Sequence, residues 1–293
     1  MVLYAALLTL SSLVFSRAFA DWWAEIVQRH DAYDLAAWGA YAIVVTTYLG
    51  VGSCFLMIDL LHRPSALYHY KIQAGRPLKR SILPRLFANI AFNFGIVMLA
   101  IAHLFVGTMT ARGRGVIVSP ELPPFWKTPL TIVLFGVLHE PVFYYSHRLL
   151  HWGPLFRHVH KVHHAFHAPI ALAAVYAHPL EFALQNIMPL VAPYVFARTH
   201  LFTLFCGCVV NVLGTLVQHC GYRFPWYLGG NPSGAKNPNF HDFHHESTTD
   251  CFGISGLCDR WHGTDRKWQA AVAKRRGGHA YFGHRGVEGK KKE

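Results

Sequence analysis

Eight histidines lie in three short clusters, and their spacing is the feature of this sequence best suited to chemistry. In order along the chain the clusters read HX3H, HX2HH and HX2HH. Imidazole is the commonest neutral metal ligand near physiological pH, and positions i, i+3 and i+4 of a helix share one face. Each cluster could therefore direct two or three nitrogens at one point. The residues are His147 and His151, then His160, His163 and His164, then His241, His244 and His245.

Eight such ligands exceed the four that one closed zinc site takes, so their number predicts two metal ions. Nitrogen donors alone leave the metal open among zinc, copper, iron and nickel. Two chemistries follow, a di-iron oxygenase and a hydrolytic or structural zinc centre. Soluble di-iron proteins usually hold their metals with Glu and Glu-x-x-His on bundle helices, whereas these clusters are nearly free of carboxylates. This difference favours the membrane-bound class of all-histidine di-iron enzymes.

The composition is typical of a membrane protein rather than a soluble one. Of the 293 residues, 53% are hydrophobic and only 14% are charged. The net charge is +12, and much of it lies near the C-terminus, as the positive-inside rule and attraction to anionic lipid predict for a cytosolic end. Long apolar runs and the lack of a nucleic-acid-binding motif argue against nucleic acid as a partner. The six cysteines show no framework spacing, which fits a reducing, cytosolic environment.

Long apolar segments must position the clusters. Residues 35–61 and 87–111 predict two membrane spans, and 128–146 predict a third that ends at the first cluster. Residues 180–218 fit an in-and-out hairpin of two short helices, which returns His219 to the starting side. The connector between the first two spans is basic, so we expect the clusters at the cytosolic face.

The sequence therefore predicts an all-α integral membrane protein with about four to five transmembrane or membrane-embedded helices. A cytosolic-face, helical, histidine-rich di-metal domain would complete the fold. Residues 1–34 predict a membrane-embedded helix and a loop, although the Ala18-Phe19-Ala20 pattern also fits a cleaved signal peptide. Residues 35–127 would hold spans and connectors, 128–266 the catalytic domain, and 267–293 a basic cytosolic tail.

The three clusters, in this order, resemble the fatty acid hydroxylase/sterol desaturase superfamily. Within it, the segment from HRLLH through HKVHHAFHAPIALAAVYAHPLE (147–181) resembles the C-4 methylsterol monooxygenases, as do NFHDFHH (239–245) and DRWHGTD (259–265). The resemblance implies two further metal ligands, His178 in AHPLE and His219 in QHCGY. It implies no catalytic residue beyond the metal ligands.

Three departures from the subfamily pattern concern substrate more than metal. Val175 stands where the family commonly has a glutamate, and Cys251-Phe252-Gly253 replaces a small, polar stretch after the last cluster. Cys258 occupies a position that is usually aromatic. We expect these residues to lie near substrate-facing loops.

The resemblance implies a reaction and its partners. Two iron ions would use O2 to oxidise the C-4 methyl group of a 4-methylsterol to a carboxylate, beside other sterol C-4 demethylation enzymes. The chain has no G-x-G-x-x-G motif and no recognisable haem module, so electrons from NADH or NADPH would arrive through cytochrome b5 and its reductase. A basic face would suit an acidic redox partner or simply reflect topology. Its residues are Lys71, Arg76, Lys79, Arg80, Arg266 and Lys267.

Lys290 and Lys291 resemble the di-lysine retrieval signal of endoplasmic reticulum membrane proteins, although a solvated basic tail would look the same. We therefore expect a multi-pass protein of that membrane with its active site and C-terminus in the cytosol. Other functions stay open. A sterol C5 desaturase or a fatty-acid or sphingolipid hydroxylase would use the same clusters. A zinc-dependent membrane hydrolase or a histidine-rich metal carrier would need no oxygen.

Overall fold

The computed structural model describes residues 16–224 and 238–276, and within these ranges the chain is almost entirely helical, without a β-strand. The fold class predicted from the sequence is confirmed. Shorter turns of helix connect the main helices at Ser65–Tyr68, Gly153–Leu155, Phe156–His160, His163–Ala165 and Ala171–Val175. The main helices are α1 (Arg17–Arg29), α2 (Ala32–Leu61), α3 (Arg80–Ala111), α4 (Lys127–Leu150), α5 (179–196), α6 (Leu201–His219), α7 (Pro238–Ser247), α8 (Leu257–His262) and α9 (Arg266–Arg276).

Three of the described helices, α2, α3 and α6, are long and apolar enough to cross a membrane. Helix α4 was predicted as a further span and has 24 residues, but its centre carries His139 and Glu140, and it does not reach the same apolar level. The predicted hairpin is present as α5 and α6, which are separated at 197–200. The segment at 147–178, predicted to be helical, begins with the end of α4 and continues in short α, π and 3-10 turns.

The ends of the long helices are set by local signals. Asp31 caps α2 by accepting a hydrogen bond from the Tyr33 N–H at 2.7 Å. The same helix ends where His62 adopts a left-handed conformation with φ of 53°. His200 caps α6 through its Nδ1 atom, which accepts from the Phe202 N–H at 3.1 Å. These residues fix both ends of α2 and the first turn of α6.

The core is centred on the short helix Ala171–Val175, which is buried along its whole length between α2 and α6. Tyr48 of α2 donates its hydroxyl to the Leu172 carbonyl at 2.7 Å. Gly52, one turn further along α2, permits the close approach, because a Cβ at that position would overlap the Leu172 side chain. The chain segment that follows the second histidine cluster is therefore held between α2 and α6.

Helix α1 is an amphipathic surface helix. The side chain of Trp23, on α1, is buried against α6, and its indole N–H donates to the Ser119 carbonyl at 3.0 Å. Ala18-Phe19-Ala20 lies inside α1. The rest of the predicted N-terminal membrane segment, residues 1–15, lies outside the described residues, as do Lys290 and Lys291.

A buried ion pair connects α2 to the chain after α6. Lys71 Nζ lies 2.6 Å from Asp59 Oδ1, and the Tyr222 hydroxyl donates to the same oxygen at 2.7 Å. Lys71 is only 5% exposed and Asp59 only 4%. Lys71 therefore does not belong to a surface that could dock a partner, and that part of the predicted basic face was wrong.

We expect Lys71→Met to destabilise the protein by about 3–5 kcal/mol, because it leaves the carboxylate of Asp59 buried without a counter-charge. Thermal unfolding in detergent measures this. The double variant Lys71→Met/Asp59→Asn should regain most of the lost stability, since Asn keeps an acceptor for Tyr222. Arg76→Met is the control, because its ion pair with Glu246 is partly exposed and 3.6 Å long. Equal melting temperatures for the wild type and Lys71→Met would contradict the assignment.

Candidate metal centre

Five elements converge on one buried region and deliver the histidines. Helix α4 ends in the first cluster, α7 carries the third, and α6 ends at His219. The second cluster lies on the π turn Phe156–His160 and the 3-10 turn His163–Ala165. Nine of the ten predicted ligands are brought together in this way.

The nine histidines form two groups, and within each group the potential ligand atoms lie within 4.8 Å of one another. Eight of the nine histidines are buried, and the ninth, His151, is partly buried. Two groups correspond to the two metal ions that the number of histidines predicted. The first group is His147, His151, His160, His164 and His244, and the second group is His163, His219, His241 and His245.

Each HX2HH cluster contributes to both groups, in opposite ways. In the second cluster, His160 and His164 belong to the first group and His163 to the second. In the third cluster the i and i+4 positions belong to the second group, and His244 belongs to the first. Residues four apart lie on one helical face, whereas the residue between them is rotated to one side. His219 completes the second group, which the clusters alone would leave with three members.

Hydrogen bonds at the far side of the rings fix which nitrogen faces the group centre. His147 Nδ1 donates to the Phe252 carbonyl at 2.7 Å, and His244 Nδ1 donates to the Asp250 carbonyl at 2.7 Å. His219 Nδ1 donates to the carbonyl one turn earlier in α6 at 2.9 Å. A carbonyl can only accept, so Nδ1 carries the proton of each neutral ring. The Nε2 atoms therefore present lone pairs.

His160 is fixed by a carboxylate. Its Nδ1–H donates to Glu181 Oε1 at 2.8 Å, and Glu181 is only 5% exposed. Carboxylate–histidine pairs of this kind orient the ring and raise its basicity as a ligand. The sequence analysis did not single out Glu181, although an acidic residue beside the AHPLE histidine was a signal that could have been used.

The Nε2 atoms are close enough together to share a cation. His160 Nε2 lies 3.1 Å from that of His147, 3.0 Å from that of His151 and 3.1 Å from that of His164. In the second group, the Nε2 atoms of His241 and His219 are 2.9 Å apart. His147 and His160 both carry their proton at Nδ1, so their Nε2 lone pairs repel, and a shared metal ion would convert this repulsion into coordination. The donor set fits iron or zinc equally well.

Burial keeps the histidines neutral, as metal ligands must be. Burial and the charge that His147 would carry lower the pKa of His151 to about 2. The pKa values of His244 and His245 are well below their usual range, first because of burial and then because other histidines are near. At physiological pH the grouped imidazole rings therefore stay neutral, and the close approach of their Nε2 atoms is not relieved by protonation.

Two further carboxylates hold the loop after the third cluster. Asp259 of α8 accepts from the N–H groups of Phe252 and Gly253 at 2.8 and 2.7 Å. Glu140 of α4 accepts from those of Ile254 and Ser255 at 3.0 and 2.6 Å. A side chain at Gly253 would collide with both carboxylates. This loop supplies the carbonyls that orient His147 and His244, so both carboxylates act on the histidines through it.

The three departures from the family pattern lie in different places. Val175 does line the cavity beside the histidines. Cys251-Phe252-Gly253, however, lies under the first group, where the Phe252 ring packs on His147 and His151. Cys258 packs in a small cluster with Tyr144 and Phe252. Neither of these two departures lines the cavity itself, but Ile254, the residue after Gly253, does, so their proximity to a substrate-facing loop stays a prediction.

His178 is not part of either group. It stands at the N-terminus of α5, where its Nδ1 atom accepts from the Leu180 N–H at 3.2 Å. The capping role explains a histidine before a proline at the start of a helix. The structure thus separates His178 from the other nine predicted ligands, whose metal binding stays a prediction.

A cavity of about 190 Å³ borders both groups. Its far wall is mostly apolar and comes from α2, α3, α5 and α6. Towards the outside it is bounded by Gly136 of α4 and by Val210 and Gly214 of α6, and Val210 is 51% exposed. The cavity therefore reaches the apolar outer surface between α4 and α6. The histidines that line it are His139, His147, His160, His163, His219 and His241.

We expect the wild type to bind about two Fe(II) or Zn(II) ions per chain, and His245→Ala to bind about one, because the second group falls to three ligands. His178→Ala should keep both ions. Inductively coupled plasma mass spectrometry of protein loaded anaerobically in detergent measures the content. A loss of metal from His178→Ala would contradict the assignment of the two groups. An unchanged metal content in His245→Ala would contradict it as well.

We expect Glu140→Leu to weaken metal binding by about 10- to 100-fold, because the loop that orients His147 loses its acceptor. Competition against a chelator measures the affinity. Glu121→Leu is the matched control, because Glu121 is an exposed carboxylate that belongs to neither histidine group and does not bond the loop. Circular dichroism of both variants separates local loss of metal from unfolding. An unchanged affinity in Glu140→Leu would show that the loop does not position the ligands.

Comparison with known proteins places these features in a family. The model of the fatty acid hydroxylase family matches residues 132–264, which include all nine grouped histidines. Fatty acid hydroxylase domain-containing protein 2 of Homo sapiens is 31% identical over 245 residues, covering 81% of this chain and 69% of the relative. Methylsterol monooxygenase 2-2 of Arabidopsis thaliana is 30% identical over 231 residues, covering 76% of this chain and 81% of the relative.

A fatty acid hydroxylase of Mycosarcoma maydis is 29% identical over 265 residues, covering 88% of this chain and 66% of the relative. No solved structure matches the chain. An oxidoreductase is indicated by three findings together. They are the matched segment, the share of the human relative that is covered, and the hydroxylase and monooxygenase names of the relatives. The chain belongs to the fatty acid hydroxylase family.

Proposed function

We propose that this protein is a membrane-bound, non-haem di-iron oxygenase that oxidises the C-4 methyl group of a sterol intermediate, from the 4-methylsterol to the 4-carboxysterol. The observation that carries the proposal is the pair of all-histidine groups on the wall of one largely apolar cavity. Relatives named methylsterol monooxygenase in Arabidopsis thaliana and Aspergillus fumigatus, each 28–30% identical, support the substrate class.

A methyl C–H bond is not acidic, so acid–base side chains alone cannot break it. Bound iron would supply the activation of molecular oxygen that this oxidation needs. In each step one O2 takes four electrons, two from the substrate carbon and two from an external donor, and water is released. Three such steps convert the methyl group through the alcohol and the aldehyde to the carboxylate.

The chain's own residues have three tasks in this proposal. The nine histidines hold the metals, and Glu181 holds His160 in the orientation of a ligand. The apolar wall, with Val44, Phe94 and Leu190, excludes water and receives the hydrocarbon rings. The outer opening near Gly136 would let a sterol enter from the bilayer without crossing water.

The external electrons would come from NADH or NADPH through cytochrome b5 and its reductase. The exposed basic residues Arg76, Lys79 and Arg80 lie close together in sequence, and the first two line one surface cavity. Arg266 and Lys267 are also exposed. Such a surface suits an acidic redox partner.

We place the protein in the membrane of the endoplasmic reticulum, with the histidine groups on the cytosolic side. This proposal rests on Lys290 and Lys291, which lie outside the described residues, and on the basic connector after α2. The 4-carboxyl product needs a further enzyme that removes the carboxyl group, so we expect the protein to work beside other enzymes of C-4 demethylation.

The alternative is hydroxylation of a fatty acyl or sphingolipid chain. The names of the relatives from Homo sapiens and Mycosarcoma maydis favour it. The same metal groups would serve either reaction, so the substrate that fits the cavity decides between them.

We expect cells depleted of this protein to accumulate 4-methyl or 4,4-dimethyl sterols, because the first step of C-4 removal is lost. Mass spectrometry of extracted sterols and fatty acids measures this. Wild type and His178→Ala should restore the profile, whereas His163→Ala should not, because His163 belongs to the second group.

A normal sterol profile together with a loss of hydroxylated acyl chains would show that the substrate is an acyl chain and not a sterol. Accumulation of sterols that lack only the C5 double bond would assign a desaturase. No change in either lipid class, together with zinc rather than iron in the purified protein, would overturn the oxygenase proposal in favour of a zinc-dependent hydrolase.

A further inference from the structure

Two polar side chains of α5 stand in the wall of the cavity beside the histidines. Glu181 and Gln185 lie one turn apart, and both line the cavity. Gln185 is 6% exposed and Glu181 is 5% exposed. Asn186 of α5 also lines the cavity, and Ile187 and Leu190 form the apolar part of the wall on this helix.

Each of these side chains keeps one buried polar atom without a hydrogen-bond partner among the described residues. The atoms are the amide nitrogen Nε2 of Gln185 and the second carboxylate oxygen Oε2 of Glu181. Glu181 Oε1 is already bonded to His160 at 2.8 Å. Buried polar groups in folded proteins almost always have partners. Two unpartnered atoms on one cavity wall therefore indicate a polar group of the molecule that occupies the cavity.

The chemistry of the two atoms specifies that group. Gln185 Nε2 can only donate a hydrogen bond, whereas Glu181 Oε2 accepts one as a carboxylate and can also donate one as a carboxylic acid. A hydroxyl both accepts and donates, so an alcohol satisfies both atoms at once in either protonation state of Glu181.

We propose that Gln185 and Glu181 bind a hydroxyl group of the substrate and thereby place the carbon to be oxidised at the histidine groups. This inference rests on the proposed function and names how its substrate is recognised. Glu181 contacts a grouped histidine directly, so the bound hydroxyl must lie close to the reacting carbon. A 3-hydroxy-4-methylsterol meets this requirement, because its hydroxyl is on the ring carbon next to the one that carries the methyl group.

The test is a binding measurement on the metal-loaded, full-length protein in lipid nanodiscs. Radiolabelled 3-hydroxy-4-methylsterol is the probe, and its 3-deoxy analogue is the competitor, in a scintillation proximity assay. We expect the wild type to prefer the alcohol by roughly five- to tenfold, the strength of one hydrogen bond. In Gln185→Met, which keeps the side-chain size but removes the amide, the preference should fall severalfold, because only the contact to Glu181 remains, while binding of the 3-deoxy analogue stays the same.

Leu190→Met is the matched control, because it alters the same wall without removing a polar atom. It should keep the preference for the alcohol. Metal content, measured for both variants, should equal that of the wild type, which excludes misfolding as the cause. If Gln185→Met weakens both ligands equally, or keeps the preference, Gln185 is only a packing residue and the proposal is wrong.

A second ligand pair separates this inference from the proposed function. If the wild type binds neither sterol but prefers ceramide to its 3-deoxy analogue, and that preference falls in Gln185→Met, hydroxyl recognition stands and the sterol assignment fails. If the wild type binds the sterol and its 3-deoxy analogue equally well, the sterol assignment stands and hydroxyl recognition fails.

Discussion

The structure depends on the crowding of unprotonated imidazole nitrogens around two buried points. Atoms that carry lone pairs and lie about 3 Å apart repel unless a cation lies between them. Burial prevents the rings from relieving the repulsion by taking up protons. The outer nitrogens are turned to the carbonyls of Phe252 and Asp250 and to Glu181, so the rings cannot rotate away. Much of the surrounding polar structure holds these rings against one another.

The membrane helices and the histidine groups are parts of one arrangement. Helices α4 and α6 carry apolar residues for most of their length and end in His147–His151 and His219, so the apolar segments deliver donors at their ends. The cavity lies where these ends meet the core helix Ala171–Val175. In the proposed function, a hydrocarbon substrate would reach the histidine groups from the outer surface along a largely apolar wall.

Local spacing was enough to predict the helical membrane fold and eight of the nine grouped histidines, because helix periodicity and metal ligation both act over a few residues. The ninth, His219, was predicted from the family resemblance. Sequence reasoning failed where a partner is distant along the chain. Glu140 and Asp259 hold one loop from two helices, and Lys71 is neutralised by Asp59 instead of facing solvent. His178 shows the limit of resemblance, since a histidine before a proline can cap a helix as well as bind a metal.

The division of each HX2HH cluster between the two groups has a consequence for assembly. A turn of chain that supplies donors to both points cannot settle around one ion without moving donors of the other. Loading of the first ion would thus organise the second point, and we expect the two uptake equilibria to be coupled with positive cooperativity. Protein with a single ion would be scarce, and a cell short of the metal would hold a mixture of empty and complete molecules.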